Sequence, residues 1–107
     1  MSYWNMDNPA KPWGLFDPDA SLDFPVDFSE WLADMGVAYG SHTIIPDPNL
    51  QVVQSAFVSG VITARISKAS SGTLAAGTKY PVTYRIFTNE TPPQHDDRTV
   101  WLKIADR

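Results

Sequence analysis

The chain has no cysteine in its 107 residues. Disulfide stapling, soft thiolate metal sites and thiol nucleophiles are therefore all excluded. A small domain from an oxidising compartment often needs such staples, so their absence points to folding in a reducing cytoplasm. Basic residues are also scarce, with eight Lys and Arg against twelve Asp and Glu and a net charge of −4. Phosphate binding depends on an excess of cations, and along the sequence no basic patch interleaved with aromatics appears, so direct nucleic-acid binding is not expected. No run approaches the roughly 20 apolar residues of a membrane-spanning helix. The opening Met1-Ser2-Tyr3-Trp4-Asn5 has no basic stretch followed by an apolar one, so no signal peptide is expected either.

Histidine is nearly absent. His42 and His95 are the two in the chain. Ser41 precedes His42, but neighbours on a strand point to opposite faces, so this serine is a poor partner for that base. His95-Asp96-Asp97 offers metal-type ligands in one stretch, yet one imidazole and two adjacent carboxylates fall short of a zinc set. Asp17, Asp19, Asp23 and Asp27 form an acidic group without the glycine and ligand spacing of a calcium loop. No Gly-rich phosphate loop, nucleophile elbow or HExxH motif occurs. The expectation is a protein with no catalytic residues, no metal and no cofactor.

Present in quantity are proline and aromatic residues: nine prolines, four Trp, four Tyr and five Phe. So many prolines argue against long helices and for short strands joined by turns. In residues 1–20, Pro9, Pro12 and Pro18 are mixed with Tyr3, Trp4, Trp13 and Phe16, and no regular apolar period is found. This segment reads as an extended arm. Disordered linkers are poor in aromatics, so Tyr3, Trp4, Trp13 and Phe16 are candidate docking residues, laid either on the chain's own domain or on a neighbouring subunit.

Residues 21–107 read as one all-β domain. Leu22, Phe24, Val26 and Phe28 alternate with polar positions, and Pro25 marks that strand as an edge. Ser29 is placed to cap a single helical turn over Glu30–Asp34, ended by Gly36, with Trp31 and Leu32 closing one end of the core. Further strands are expected over 37–45, 50–58, 61–67, 79–88 and 98–105. Their inward faces should carry Ile62, Ala64 and Ile66; Tyr80, Val82, Tyr84 and Ile86; and Val100, Leu102 and Ile104. Roughly six or seven short strands with turns between them fit an antiparallel β-sandwich of immunoglobulin-like type, with an extended N-terminal arm.

The most specific stretch is the last third. Tyr80-Pro81-Val82-Thr83-Tyr84-Arg85-Ile86-Phe87-Thr88 leads through a polar loop to Asp96-Asp97-Arg98-Thr99-Val100-Trp101-Leu102-Lys103-Ile104. Together with Asp17-Pro18-Asp19-Ala20, Leu22-Asp23-Phe24 and Asp27-Phe28-Ser29-Glu30-Trp31-Leu32, this resembles the fiber–tail adaptor family of small tailed-bacteriophage structural proteins, over roughly Lys11 to Arg107. Met1–Ala10, the Pro92-Pro93 pair and Trp101 depart from the family's pattern. The resemblance implies an immunoglobulin-like fold and a non-enzymatic virion protein, a tail or head–tail adaptor docking fibers or neighbouring tail proteins in a multi-copy ring. Its partners would be tail, portal-proximal or fiber proteins and copies of itself, with no nucleic acid and no membrane, and it would be assembled in the host bacterial cytoplasm. Read apart from the resemblance, Asp96 or Asp97 would cap a turn and Arg98 would pair with a carboxylate across the sheet, with direct contact to a partner as the other role open to them. A capsid decoration protein is the alternative. A carbohydrate-binding module, stacking sugars on Tyr3, Trp4, Trp13 and Trp101, is a distant one.

Overall fold

The computed structural model of the chain describes Trp4 and residues 11–105. The order along the chain is β1 (Trp13–Phe16), β2 (Leu22–Asp27), α1 (Ser29–Met35), β3 (Tyr39–Pro46), β4 (Leu50–Val58), β5 (Val61–Lys68), β6 (Lys79–Thr88) and β7 (His95–Ile104). They form two sheets, one of four strands ordered β1-β7-β6-β3 and one of three ordered β2-β5-β4. The inner faces meet in a core of Phe16, Phe24, Phe28, Ile62, Ile66, Val82, Tyr84, Ile86 and Leu102, each nearly or wholly withdrawn from solvent.

Period-two alternation explains the central strands. Ile62, Ala64 and Ile66 on β5, and Val100, Leu102 and Ile104 on β7, all point inward as expected. On β6 the buried positions are Val82, Tyr84, Ile86 and Thr88, whereas Tyr80 is only partly covered. Pro25 lies on β2, an edge strand, where a missing backbone donor costs no ladder bond. Leu22, the first residue of β2, departs from expectation and is 42% exposed.

Three local expectations are corrected. The segment after β2 is a seven-residue helix, not a single turn, and Ser29 does not cap it. Instead the Asp27 carboxylate accepts from the Ser29 N–H at 2.8 Å and the Ser29 hydroxyl at 2.6 Å. Gly36 ends the helix in the left-handed region (φ 65°), as glycine readily does. Secondly, Trp13–Phe16, read as part of an extended arm, is a strand that pairs in parallel with β7 in the register Trp13–Trp101 to Phe16–Ile104. The sandwich is thus antiparallel except for this one pair. Thirdly, Asp96-Asp97-Arg98 is no turn, because β7 already begins at His95.

Two register shifts decide what faces inward at the β3/β4 side. On β4 the pairing jumps from Val52–Ile66 to Gln54–Arg65, leaving Val53 as an extra residue. The shift changes parity, so Ser55 and Phe57 lie opposite inward-facing Ala64 and Ile62. On β3 the jump falls at Gly40, where a Cβ would sit 2.5 Å from the Thr88 carbonyl oxygen.

Candidate docking surface

The two long sides of the sandwich are closed differently. On the β1/β2 side, Trp4 stacks on Phe24 with ring centroids 5.6 Å apart, and its indole N–H donates to the Pro25 carbonyl at 2.7 Å. Gly14 makes room for it, since a Cβ there would approach the Trp4 ring to 3.0 Å. On the β3/β4 side, Tyr39 and Phe57 stack face to face at 3.9 Å. Beside them the Tyr39 hydroxyl lies 2.8 Å from His42 Nδ1, and the Ser55 hydroxyl 2.8 Å from His42 Nε2. Burial disfavours the imidazolium and lowers the His42 pKa below its usual 6.5.

The His42–Ser55 contact escaped the sequence reading, which weighed Ser41. A hydroxyl on an imidazole has the outline of a nucleophile–base pair. Here its members come from the edge strands of opposite sheets, and Tyr39 and Ser55 between them occupy both ring nitrogens. The set works as a polar clasp between β3 and β4.

The outer face of the four-stranded sheet is built from five cross-strand pairs of β6 with β7: Lys79–Lys103, Pro81–Trp101, Thr83–Thr99, Arg85–Asp97 and Phe87–His95. Thr83 and Thr99 share a hydrogen bond of 2.8 Å. Arg85 grips Asp97 through two bonds, Nε to Oδ1 at 2.7 Å and Nη2 to Oδ2 at 2.8 Å. This fork holds the Asp97 carboxyl below the ordinary carboxylate range. Phe87 and His95 meet with centroids 5.6 Å apart. The ladder's last rung is two lysines facing each other.

Those lysines sit among aromatics. Lys79 Nζ lies 4.9 Å and Lys103 Nζ 5.2 Å from the Trp13 ring, while Lys11 Nζ lies 5.3 Å from the Trp101 ring. The three cations are far apart in sequence and become a patch only when β1 aligns beside β7. The sequence reading therefore found scattered basic residues and no patch. Leu15 adds an apolar rim at 41% exposure.

The candidate docking residues divide. Trp13 lies on this outer face, half-buried beneath the lysines. Trp4 lies on the chain's own domain. Phe16 is fully buried in the core, where no partner can reach it. Tyr3 lies outside the described residues. His95, Asp96 and Asp97 do not converge, because Asp97 is held by Arg85 and Asp96 approaches Arg98 at 3.8 Å. Arg98 does not pair across the sheet. Its Nη1 donates to the Asp27 carbonyl at 2.6 Å and its guanidinium covers the Phe28 ring at 4.6 Å, tying β7 to the entry of α1. Among the described residues no helix is long and apolar enough to cross a membrane.

The outer face of the three-stranded sheet holds a depression of about 300 Å³, lined by Asp23, Gln54, Ser55, Ala56, Thr63 and Arg65. The Asp23–Arg65 ion pair at 2.9 Å lies within it.

No curated protein matches the chain. A family model described as Podophage GP4 fiber-tail adaptor protein gp77 matches residues 17–103, from the β1–β2 turn to the penultimate residue of β7. That family is one of structural tail adaptors and not an enzyme class. The chain belongs to this podophage fiber–tail adaptor family and is a structural adaptor of the phage tail.

Proposed function

We propose that the chain docks fibers or neighbouring tail proteins from a multi-copy ring, by binding alone and without catalysis. Family membership supports the tail adaptor role. The observation that carries the docking role is the outer edge of β4, along which no further strand pairs among the described residues. This nine-residue strand ends its sheet, and its Val53 and Val58 are 54% and 67% exposed. A partner strand can add to such an edge through main-chain hydrogen bonds while the two valines supply apolar contact. Repetition around a ring then multiplies individually modest contacts. Trp13 keeps a docking role on the other sheet.

Cryo-electron microscopy of intact virions tests this reading. Density for the chain in a ring at the tail, with an adjoining protein on β4, is the expected result. Density spread over the capsid lattice would make it a decoration protein, and absence from the particle would refute both.

A further inference from the structure

The outer face of the β6–β7 ladder follows a rule in four of its rungs. Aromatic meets proline or imidazole, hydroxyl meets hydroxyl, and guanidinium meets carboxylate. Such pairs stabilise a sheet, and like charges directly opposite destabilise it. Lys79–Lys103 is the exception. Lys11 joins them over the adjacent Trp101. Among the described residues none of the three lysines forms an ion pair with a carboxylate, although the chain carries twelve acidic residues. A chain of net charge −4 thus concentrates three of its eight basic residues on one rung and its neighbour, at a cost to its own stability.

From this juxtaposition we infer that the outer face around Lys79, Lys103, Lys11, Trp13 and Trp101 docks an acidic, extended peptide segment of a partner tail protein. The inference rests on the adaptor reading and names the chemistry of the partner. An extended segment suits a flat sheet face with side chains spaced at strand intervals. Its carboxylates would neutralise the facing lysines, and its apolar positions would lie on Trp13, Trp101 and Leu15. The lysines are already positioned over indole rings, which limits the freedom they lose on binding. Charge complementarity decides for an acidic partner segment: bringing one up relieves a repulsion that the free domain carries.

The test uses the full chain and two single charge reversals, Lys79→Glu and Lys103→Glu. Each turns the like-charged rung into an opposite-charged one, so each should fold and raise the melting temperature by roughly 1–4 °C. The probe is a labelled peptide alternating Glu with Leu, compared with the same peptide carrying Lys for Glu, by fluorescence anisotropy. The expected result is binding of the acidic peptide alone, weakened about tenfold or more by either reversal and by raising salt from about 50 to about 300 mM. Equal binding of the two peptides, or unchanged binding by both reversals, would overturn the inference. So would salt-sensitive self-association of the chain abolished by either reversal, which would make the occupant a second copy. Preferential binding of an anionic polysaccharide would likewise overturn it. Virions carrying Lys79→Glu separate this from the adaptor reading. If the wild-type chain is absent from the tail, the adaptor reading fails. If it is present and the variant retains its full complement of neighbouring proteins, the inference alone fails.

Discussion

Tyr84→Phe is the sharpest probe of how the two sheets are joined. Tyr84 lies at the middle of β6, has no exposed surface, and sends its hydroxyl across the core to the Phe24 carbonyl on β2 at 2.7 Å. Two effects are superimposed in this side chain and can be separated. Removing the hydroxyl alone takes a donor from a buried carbonyl, which costs about 1–3 kcal/mol. Removing the ring as well, in Tyr84→Ala, leaves a cavity in a fully packed core, with a cost of roughly 3–5 kcal/mol. For a domain of this size each kcal/mol lowers the melting temperature by about 4–8 °C. Urea unfolding followed by tryptophan fluorescence measures both variants, and an unchanged m-value would show that the denatured state is not the cause. A Tyr84→Phe variant within about 0.5 kcal/mol of wild type would refute the claim that this bond ties the sheets together. A neutral Tyr84→Ala would refute the core assignment itself.

Gly60→Ala should destabilise far more than Gly36→Ala in the same urea experiment. Both glycines have positive φ, 86° and 65°, but an added Cβ at Gly60 would lie 2.6 Å from the Ser29 Cβ while Gly36 faces open space. Backbone strain alone costs about 1–2 kcal/mol at each, so only the excess at Gly60 measures the clash. Stability should also fall with pH in two separate steps. His42 has a pKa lowered from 6.5 by burial, so its contribution is complete above 6.5 and is lost as pH falls from there through the folded value. Asp97 and Asp23 have pKa values lowered from 3.8 by their arginine partners, so theirs persists above 3.8 and is lost as pH falls through the folded values. Melting temperatures across pH for wild type and His42→Gln check this, since the variant should lose the upper step and keep the lower one.

Strands whose period lies on their own surface were legible in the sequence. The limits 50–58 and 79–88 read from alternation and flanking turns are those of β4 and β6. The inward residues of β5 and β7 were legible for the same reason. What escaped depends on pairing between distant segments. Trp13-Gly14-Leu15-Phe16 is too short, and too closely flanked by prolines, to show a period. It becomes a strand because β7 offers a free edge beside it. The cationic patch escaped likewise, since Lys79 meets Lys103 through the β6–β7 register and Lys11 joins them only where the start of β1 lies beside Trp101. From the sequence Arg98 was expected to pair with a carboxylate across the sheet, but it is Arg85 that faces Asp97, because the β6–β7 register decides which arginine meets which residue. The bulges at Gly40 and Val53 left no signal beyond a glycine and a second consecutive valine. Without them, His42, Ser55 and Phe57 cannot be assigned to a face.

Val53 lies outside the ladder and is 54% exposed, so by ordinary reasoning it should matter little. Substitution should indeed be mild, and Val53→Thr is expected within about 0.5 kcal/mol of wild type. Deletion tests the bulge directly. Removing Val53 joins Val52 to Gln54, so the ladder runs from Val52–Ile66 straight to Gln54–Arg65, and Ser55 and Phe57 stay opposite inward-facing Ala64 and Ile62. The Tyr39–Phe57 stack and the Ser55–His42 bond should both survive, and by NMR His42 should keep the lowered pKa that burial gives it. The deletion should therefore cost no more than about 1 kcal/mol by urea unfolding. Were Val53 an ordinary member of the strand, its removal would turn Ser55 and Phe57 to the outer face. Withdrawing a mostly buried phenylalanine costs about 1.5–3 kcal/mol, and losing the stacked geometry adds about 0.5–1.5. A loss of that combined size on deleting Val53 would show that the parity of β4 is set by something other than the bulge.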